Sequence, residues 1–263
     1  MQTLERIQRL SPNTRGEDYV VGDIHGYFYV LERALARIGF DFERDRLLSV
    51  GDLIDRGPDS HRAPEFLAQP WFHAVRGNHE QMLLDAVGGD HVDPAMRALW
   101  YQNGGHWFDA LEAEAAAELI PWLAAMPYAL EIALPGNGQV GIVHADLPNG
   151  DWAKAVAALT EGEGNMLEHV LWSRRRAGLV QARLDGRSRW IRRSVSAVGV
   201  DRVLFGHTPM PAAVACGNTR WLDTGVFIPG GWLSFTRLSD DSLWSFAVEG
   251  DDCSQGWRVL DER

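Results

Sequence analysis

The 263-residue sequence contains only two cysteines, Cys216 and Cys253. Neither has a partner cysteine or histidine at the spacing of a metal site or a redox motif. A disulfide framework and thiol catalysis are therefore both disfavoured as the basis of function. We expect both cysteines to be buried as small apolar side chains.

Long apolar runs are also missing from the sequence. No stretch of about 18 apolar residues could span a membrane, and residues 1–10 lack the continuous apolar core of a secretion signal. The sequence therefore predicts a cytoplasmic protein with no membrane partner.

Positive charge is in deficit, with 25 Lys and Arg against 36 Asp and Glu and a formal net charge of −11 at pH 7. Such a surface disfavours nucleic acid, and no basic stripe with interleaved aromatic residues is present. Bound metal ions could still create a local positive site. We expect no nucleic-acid partner.

No internal repeat, low-complexity tract or long linker divides the sequence, so we expect one domain over residues 1–263. Short apolar runs that stop at Gly or at a polar cluster are typical of buried strands. Five runs have this form, at residues 18–26, 47–52, 71–79, 140–145 and 202–207. Helical patterns between the first three runs complete a βαβαβ order, which favours parallel pairing.

The remaining segments divide unevenly along the sequence. Further helices are predicted at residues 81–87 and 113–126, and further strands at residues 128–134, 212–216, 231–237 and 243–248. Helices are therefore expected mainly in the first half and strands in the second. This distribution predicts a layered α/β protein with two packed sheets and helices outside.

Each of the five predicted strands ends in Asp, Asn or His, and ligands bind at the carboxyl ends of strands in open α/β sheets. The candidate ligands are Asp23, His25, Asp52, Asn78, His144 and His207. Three oxygen donors and three imidazoles suit manganese, iron, zinc or nickel better than calcium or magnesium.

Six ligands are too many for one open catalytic site, which favours two divalent ions. Asp23 and His25 would lie on one side of an extended chain and bind one ion together, with Asp52 as a bridge to the second. Two ions about 3.5–4 Å apart, sharing a water, would make a strong nucleophile and hold phosphoryl oxygens. The forked guanidinium of Arg56, in the following loop, suits a phosphate.

Each of these residues also has an ordinary structural explanation. A single Asp at a strand end usually caps a helix or turn, and a single His is usually a surface or core residue. The ordered combination of Asp-x-His, Gly-Asp-x-x-Asp-Arg-Gly, Gly-Asn-His-Glu and two later histidines favours a catalytic site instead. The run Arg174-Arg-Arg176 is predicted to be solvated, and no role is predicted for His61, His73, His91, His106 or His169.

The motifs together resemble the phosphoprotein phosphatase family of metallophosphoesterases, in its bacterial and phage branch. The resemblance is carried by Gly22-Asp-Ile-His-Gly26, Gly51-Asp-Leu-Ile-Asp-Arg-Gly57 and Gly77-Asn-His-Glu80. It continues through residues 70–82, 103–108, 143–146, 171–174, 205–209 and 223–225. In total it covers roughly residues 17–237, and the motifs are highly specific in combination.

The resemblance implies a central β-sandwich flanked by helices and carrying two divalent metal ions. One ion would be held by Asp23, His25 and Asp52, and the other by Asp52, Asn78, His144 and His207. His79 would be the general acid, oriented by Asp55 so that a proton is available for the leaving alkoxide. Arg56 and Arg174 would bind the phosphate. A functional role is therefore expected for Arg174 but not for its neighbours Arg175 and Arg176.

The implied activity is metal-dependent hydrolysis of phosphoserine and phosphothreonine in a phosphoprotein or phosphopeptide, with manganese as the expected metal. A metal-bridging hydroxide would attack phosphorus directly, without a covalent phosphoenzyme. The sequence departs from the short phage type by additions at residues 160–165 and 178–194 and after Arg237. We expect these additions to flank or cap the site and to affect selectivity. The oligomeric state stays open.

Three alternatives remain. A dinucleoside polyphosphate hydrolase of this fold usually carries Ala at the position of Asp55 and Asp at that of Glu80, so both positions favour the protein phosphatase. A broad-specificity small-molecule phosphatase would share every motif. A catalytically silent scaffold would be expected to have lost a ligand or His79, and all of these positions are filled.

Overall fold

The structure, a computed structural model, describes residues 4–87, 94–162, 164–188 and 195–260. The strands are β1 (Ile7–Leu10), β2 (Asp18–Val21), β3 (Arg46–Ser49), β4 (Phe72–Ala74), β5 (Ala129–Ala133), β6 (Gln139–Val143), β7 (Arg202–Phe205), β8 (Val214–Cys216), β9 (Thr219–Trp221), β10 (Trp232–Arg237), β11 (Leu243–Ala247), β12 (Cys253–Gln255) and β13 (Arg258–Leu260). The helices are α1 (Phe28–Ile38), α2 (Ala63–Leu67), α3 (Asn78–Val87), α4 (Pro94–Gln102), α5 (Ala113–Ala125), α6 (Trp152–Glu161), α7 (Gly164–Trp172) and α8 (Arg175–Leu184).

Within these ranges the strands form two mixed sheets. One sheet has the order β1-β5-β6-β7-β9-β8-β13, and the other has the order β12-β11-β10-β2-β3-β4. Strands β2, β3 and β4 are parallel neighbours, with Tyr19 opposite Leu47 and Leu47 opposite Phe72. The predicted βαβαβ unit is therefore confirmed, and the carboxyl ends of its strands lie at one edge.

Alternation along the strands divides the core into layers. On β2, Val20 packs into a cluster between the sheets with Leu48 and Ile142, whereas Tyr19 and Val21 pack on the opposite face against helical residues. The sheet that contains β6 and β7 has its own outer cluster, in which side chains of these two strands pack against α6, α7 and α8. The predicted layered α/β fold of two packed sheets with helices outside is confirmed.

Helix α1 shows how sequence defines these outer layers. Its apolar residues Val30, Leu31, Ala34 and Leu35 recur at helical spacing and are buried on one face. The helix ends at Gly39, whose φ of 71° lies in the left-handed region and whose N–H donates to the Ala36 carbonyl.

Among the described residues, α1 to α5 lie in the first half and β6 to β13 in the second, as expected. The sequence did not predict helices α6, α7 and α8, which lie in the second half. The residues after Arg237 include β11 and β12, which extend one sheet at its edge, and β13, which extends the other; their expected effect on selectivity stays a prediction. Strands of only three residues, such as β12 and β13, are too short to show a period of two.

The two internal additions lie along the helices. Residues 160–165 span the turn between α6 and α7, and residues 178–184 are the end of α8. Residue 163 and residues 189–194 lie outside the described residues. Because α7 is nine residues long, the turn at its start is about 12 Å from its last residue, Trp172.

Two smaller expectations can be checked against the described residues. Cys216 is buried as expected, but Cys253 is exposed on β12, so the expectation is wrong for that residue. None of the described helices is long and apolar enough to cross a membrane.

The close packing of β6 against α6 yields a stability prediction. A Cβ at Gly141 would overlap the ring of the buried Trp152, so Gly141→Ala should lower the free energy of unfolding by about 1–3 kcal/mol. Gly178→Ala is the matched control, because nothing lies within 4 Å of its Cβ position in α8; it should raise that energy by up to about 1 kcal/mol. Urea unfolding measures both, and equal effects would contradict the packing argument.

Candidate metal centre

The predicted ligands meet where strands of both sheets end. Two groups have their ligand atoms within 4.8 Å of one another: His25, Asp52 and His79 form one, and Asp52, His144 and His207 form the other. All five of these residues are buried. Asp52 belongs to both groups, which is the place expected of a bridging carboxylate.

Distances place each oxygen of Asp52 on a different side. Its Oδ1 lies 3.3 Å from Nε2 of His144, and its Oδ2 lies 3.7 Å from Nε2 of His25. Asn78 joins the His144 side, because its Oδ1 is 2.9 Å from Nε2 of His144 and 2.8 Å from Nδ1 of His207. These contacts form two groups that share Asp52, and the assignment of the ligands to two ions stays a prediction.

Each predicted imidazole ligand is oriented through its other ring nitrogen, which donates to a backbone carbonyl. The three bonds run from His25 Nδ1 to Ile54 (3.1 Å), from His144 Nδ1 to Val50 (2.8 Å) and from His207 Nε2 to Trp172 (3.1 Å). Such bonds select the tautomer whose lone pair faces the centre of the cluster, as in metal sites of proteins.

The donor set fits divalent cations. Burial, the nearby His144 and the Arg174 guanidinium lower the pKa of His207 to about 3, so its ring is neutral at pH 7. Since its Nε2 carries the proton donated to Trp172, its Nδ1 lone pair faces the Asn78 oxygen at 2.8 Å. Two acceptors this close repel each other unless a cation binds both.

Asp23 supports the same conclusion. Its Oδ2 accepts from the His207 N–H at 2.9 Å, while its Oδ1 is buried without a hydrogen-bond partner in the described part of the chain. Burial and the charges of Asp223 and Asp52 raise the pKa of Asp23 well above its usual range. A divalent cation would remove this cost of gathering buried carboxylates.

The local backbone differs from the extended strand ends expected from the sequence. Strand β2 already ends at Val21, and Asn78 and His79 begin helix α3 rather than ending β4. Site residues with φ in the left-handed region are His25 (45°), Asp52 (49°), Asp55 (71°), Arg56 (73°) and His207 (66°). Such conformations cost about 1 kcal/mol or more each and persist only where packing imposes them, typically at functional sites.

Asp55 and His79 form the expected pair. His79 Nδ1 donates to Asp55 Oδ2 at 2.7 Å, and both side chains are almost fully buried. The Asp55 carboxylate also accepts from Nε1 of Trp100 at 2.9 Å and from Nε1 of Trp107 at 2.7 Å. This buried anion is therefore well solvated by donors, and it directs Nε2 of His79 toward the cluster, 3.9 Å from Asp52.

The two predicted phosphate-binding arginines lie beside different halves of the cluster. Arg56 is exposed, and its Nη2 lies 3.3 Å from His79 Nε2. Its guanidinium carbon sits 3.8 Å above the ring of Phe227, which itself meets His25 edge-on. Arg174 is exposed at the start of α8, close enough to His207 for its charge to lower the pKa of that ring.

Sequence reasoning missed the structural role of Glu80, which is fully buried. Its carboxylate accepts from the backbone N–H groups of Gly77 (2.8 Å), Asp52 (3.1 Å), Leu53 (2.7 Å) and Ile54 (3.3 Å). Glu80 thereby joins the Asp52 loop to the loop before Asn78. Its position in Gly-Asn-His-Glu was visible in the sequence, but nothing there indicated four amide partners.

The remaining predictions for charged residues divide. Arg175 is exposed as expected, but Arg176 is buried and paired with Asp146, so the solvated interpretation is wrong for it. The described histidines without a predicted role, His61, His73, His106 and His169, belong to neither metal-ligating group. His91 lies outside the described residues.

Known families and proteins resemble this chain along most of its length. A family model described as calcineurin-like phosphoesterase matches residues 19–211. Serine/threonine-protein phosphatase 1 of Salmonella typhimurium is 38% identical over 243 residues, which covers 90% of this chain and 99% of that relative. A symmetrical bis(5'-nucleosyl)-tetraphosphatase of Cellvibrio japonicus is 29% identical over 280 residues, covering 88% of this chain and 98% of that relative.

Solved structures show the same fold. A protein serine/threonine phosphatase from Saccharomyces cerevisiae superposes with a TM-score of 0.58 at 15% identity, over 90% of this chain and 78% of that one. At this identity the likeness concerns the fold alone.

The Glu80 contacts lead to a prediction about metal affinity. Glu80→Gln replaces one carboxylate oxygen with an NH2 group, which would face backbone N–H groups and displace the Asp52 loop. Apparent manganese affinity should fall about 10–100-fold, as for other changes around metal ligands. Glu65→Gln, at an exposed position on α2, is the control, and unchanged manganese affinity in Glu80→Gln would contradict this role.

Proposed function

The chain belongs to the calcineurin-like phosphoesterase family, and we propose that it is a metal-dependent phosphomonoesterase acting on phosphoserine and phosphothreonine in proteins. The observation that carries the proposal is the buried Asp55–His79 pair, whose free imidazole nitrogen faces the metal-ligating cluster. A positioned acid beside a metal centre suits esters whose leaving alkoxide needs a proton.

The ligand assignment is part of this proposal. Asp23, His25 and Asp52 would hold one divalent ion, and Asp52, Asn78, His144 and His207 the other. Bound there, the ions would activate a water for attack on phosphorus and draw charge from the phosphoryl oxygens. The mixed nitrogen and oxygen donors favour manganese, with iron, zinc or nickel as alternatives.

The other side chains act on the phosphate and on the leaving group. Arg56 and Arg174 would bind peripheral phosphate oxygens from the two sides of the cluster. His79 would donate its Nε2 proton to the serine or threonine oxygen as the phosphorus–oxygen bond breaks, while its Nδ1–H stays on Asp55. Water supplies the oxygen that phosphorus gains, so the products are the free hydroxyl side chain and inorganic phosphate.

The related tetraphosphatase supports a second candidate, hydrolysis of dinucleoside polyphosphates. The structure changes one argument against it. Glu80 is buried beneath the Asp52 loop, and its described hydrogen bonds go only to backbone amides. A choice of Glu or Asp at this position therefore does not select the substrate by direct contact. Asp55, which orients His79, still favours the phosphomonoesterase.

The proposal also keeps one domain over residues 1–263, with a core at about residues 17–237, and a cytoplasmic location. These expectations rest on the sequence.

The acid role of His79 predicts a dependence on the leaving group. His79→Asn should retain manganese but lose at least about a hundredfold in kcat on a phosphoserine peptide, since general acid catalysis contributes 10²–10⁴-fold. The loss on p-nitrophenyl phosphate should be much smaller, because nitrophenolate leaves without protonation. Steady-state kinetics on both substrates, with manganese content measured in parallel, test this.

Asn78→Ala is the matched comparison for the neighbouring position. It removes an oxygen that faces His144 and His207, so it should lose bound manganese and activity on both substrates alike. Equal losses on the two substrates for His79→Asn, with metal retained, would refute the general-acid role.

Substrate class and metal can be tested in one experiment. Chelated protein is restored separately with manganese, nickel, zinc or magnesium, and phosphate release is followed on phosphoserine peptides and on diadenosine tetraphosphate. We expect the highest kcat/KM on the peptides with manganese. Cleavage of the nucleotide alone would refute the protein phosphatase and establish the second candidate.

A further inference from the structure

Asp146, which follows the metal-ligating position His144 by two residues, is buried although no catalytic role was predicted for it. Its Oδ2 accepts from the Ser173 hydroxyl at 3.0 Å and from the Arg176 N–H at 3.2 Å. Its Oδ1 accepts from the Arg176 guanidinium and from the N–H of Leu147. The carboxylate thus binds residues on both sides of Arg174.

Arg176 strengthens this connection. It is only 7% exposed, and its Nη1 also donates to the Leu147 carbonyl at 2.7 Å. The first turn of α8 is therefore fixed to the loop after β6 by a buried, hydrogen-bonded ion pair. Removing one partner of such a pair leaves the other charge buried and unpaired.

The segment before Arg174 is also fixed to the metal-ligating residues. The Trp172 carbonyl accepts from His207 Nε2 at 3.1 Å, and the Val170 carbonyl accepts from the N–H of Ala145 at 2.8 Å. Arg174 thus lies in a short segment bonded on one side to His207 and on both sides to the loop that follows His144. Its own guanidinium is exposed, so its direction depends on this backbone.

We propose that Asp146, through Ser173 and Arg176, is a positioning residue that holds Arg174 at the phosphate-binding side of the metal centre. The inference rests on the proposed function, because Arg174 is assigned there to the phosphate. Asp146 is not among the proposed metal ligands, and its described hydrogen bonds go to Leu147, Ser173 and Arg176. It sets where the Arg174 backbone lies relative to His144 and His207.

A double-mutant cycle tests the proposal with two readouts. Asp146→Asn, Arg174→Ala and the double variant are compared for KM and kcat on p-nitrophenyl phosphate, and for inorganic phosphate binding to the manganese-loaded protein by calorimetry. Asp146→Asn alone should weaken phosphate binding and raise KM about tenfold, the loss typical of a charge-assisted contact. In the Arg174→Ala background it should change either value by less than about twofold, because the contact it positions is already gone.

Controls separate positioning from general destabilisation. Arg175→Ala, at the adjacent exposed position, should leave every value unchanged. Bound manganese should be equal in all variants, and its loss in Asp146→Asn would overturn the proposal by placing the effect on His144. If Asp146→Asn changed KM and phosphate affinity by the same factor with and without Arg174→Ala, the proposal would also be overturned. If Asp146→Asn is unfolded at the assay temperature, Ser173→Ala, which removes one hydrogen bond to Asp146, is taken through the same cycle with the same criteria.

Failure of the proposed function has a different signature. A wild-type protein that binds manganese and phosphate but hydrolyses no phosphomonoester would refute the phosphomonoesterase. The calorimetric cycle would still decide whether Asp146 positions Arg174, because it requires no turnover.

Discussion

The carboxylate of Asp52 is the point on which both halves of the site depend, since one oxygen faces His144 and the other faces His25. Its position is controlled from three directions. The N–H of His79 donates to its Oδ1 at 3.0 Å, and Glu80 binds its backbone N–H. Gly77 packs so closely against it that a Cβ there would overlap the carboxylate. A shift of this one side chain would therefore disturb both sets of ligands.

The sandwich explains how strained residues can persist at this point. Val50 and Val75, directly before the Asp52 and Asn78 loops, lie in the cluster between the sheets, as does Leu204 before the His207 loop. Anchoring the start of each loop limits its alternatives, so left-handed residues such as Asp52 and His207 stay in place. Packing between the sheets thus offsets part of the free-energy cost of the site's backbone conformations.

The two arginines that would contact a substrate are exposed, whereas the proposed metal ligands are buried. Arg56 rests on the face of Phe227, and Arg174 depends on the segment bound by Asp146. Of the additional segments, the residues after Arg237 extend the sheets, and the turn at residues 160–165 is at the far end of α7. The addition at residues 178–184 continues the helix that Arg174 precedes, and its Gln181 donates to the Pro209 carbonyl just beyond His207. Exposed side chains such as Trp172, whose ring meets His207 edge-on, also lie beside the site.

The sequence by itself determined the layered α/β class, the parallel βαβαβ unit and the candidate residues that the structure brings together at the site, because short apolar runs and the Gly-flanked motifs at their ends are local properties. Only the tertiary structure decided that Asn78 and His79 start a helix, that Glu80 binds four amides from two loops, and that Arg176 is buried against Asp146. The hydrogen bonds from Trp100 and Trp107 to Asp55 were likewise visible only in the tertiary structure. These contacts join positions far apart in the chain, and a side chain's partner across such a distance is set by how the layers pack, which no local pattern encodes.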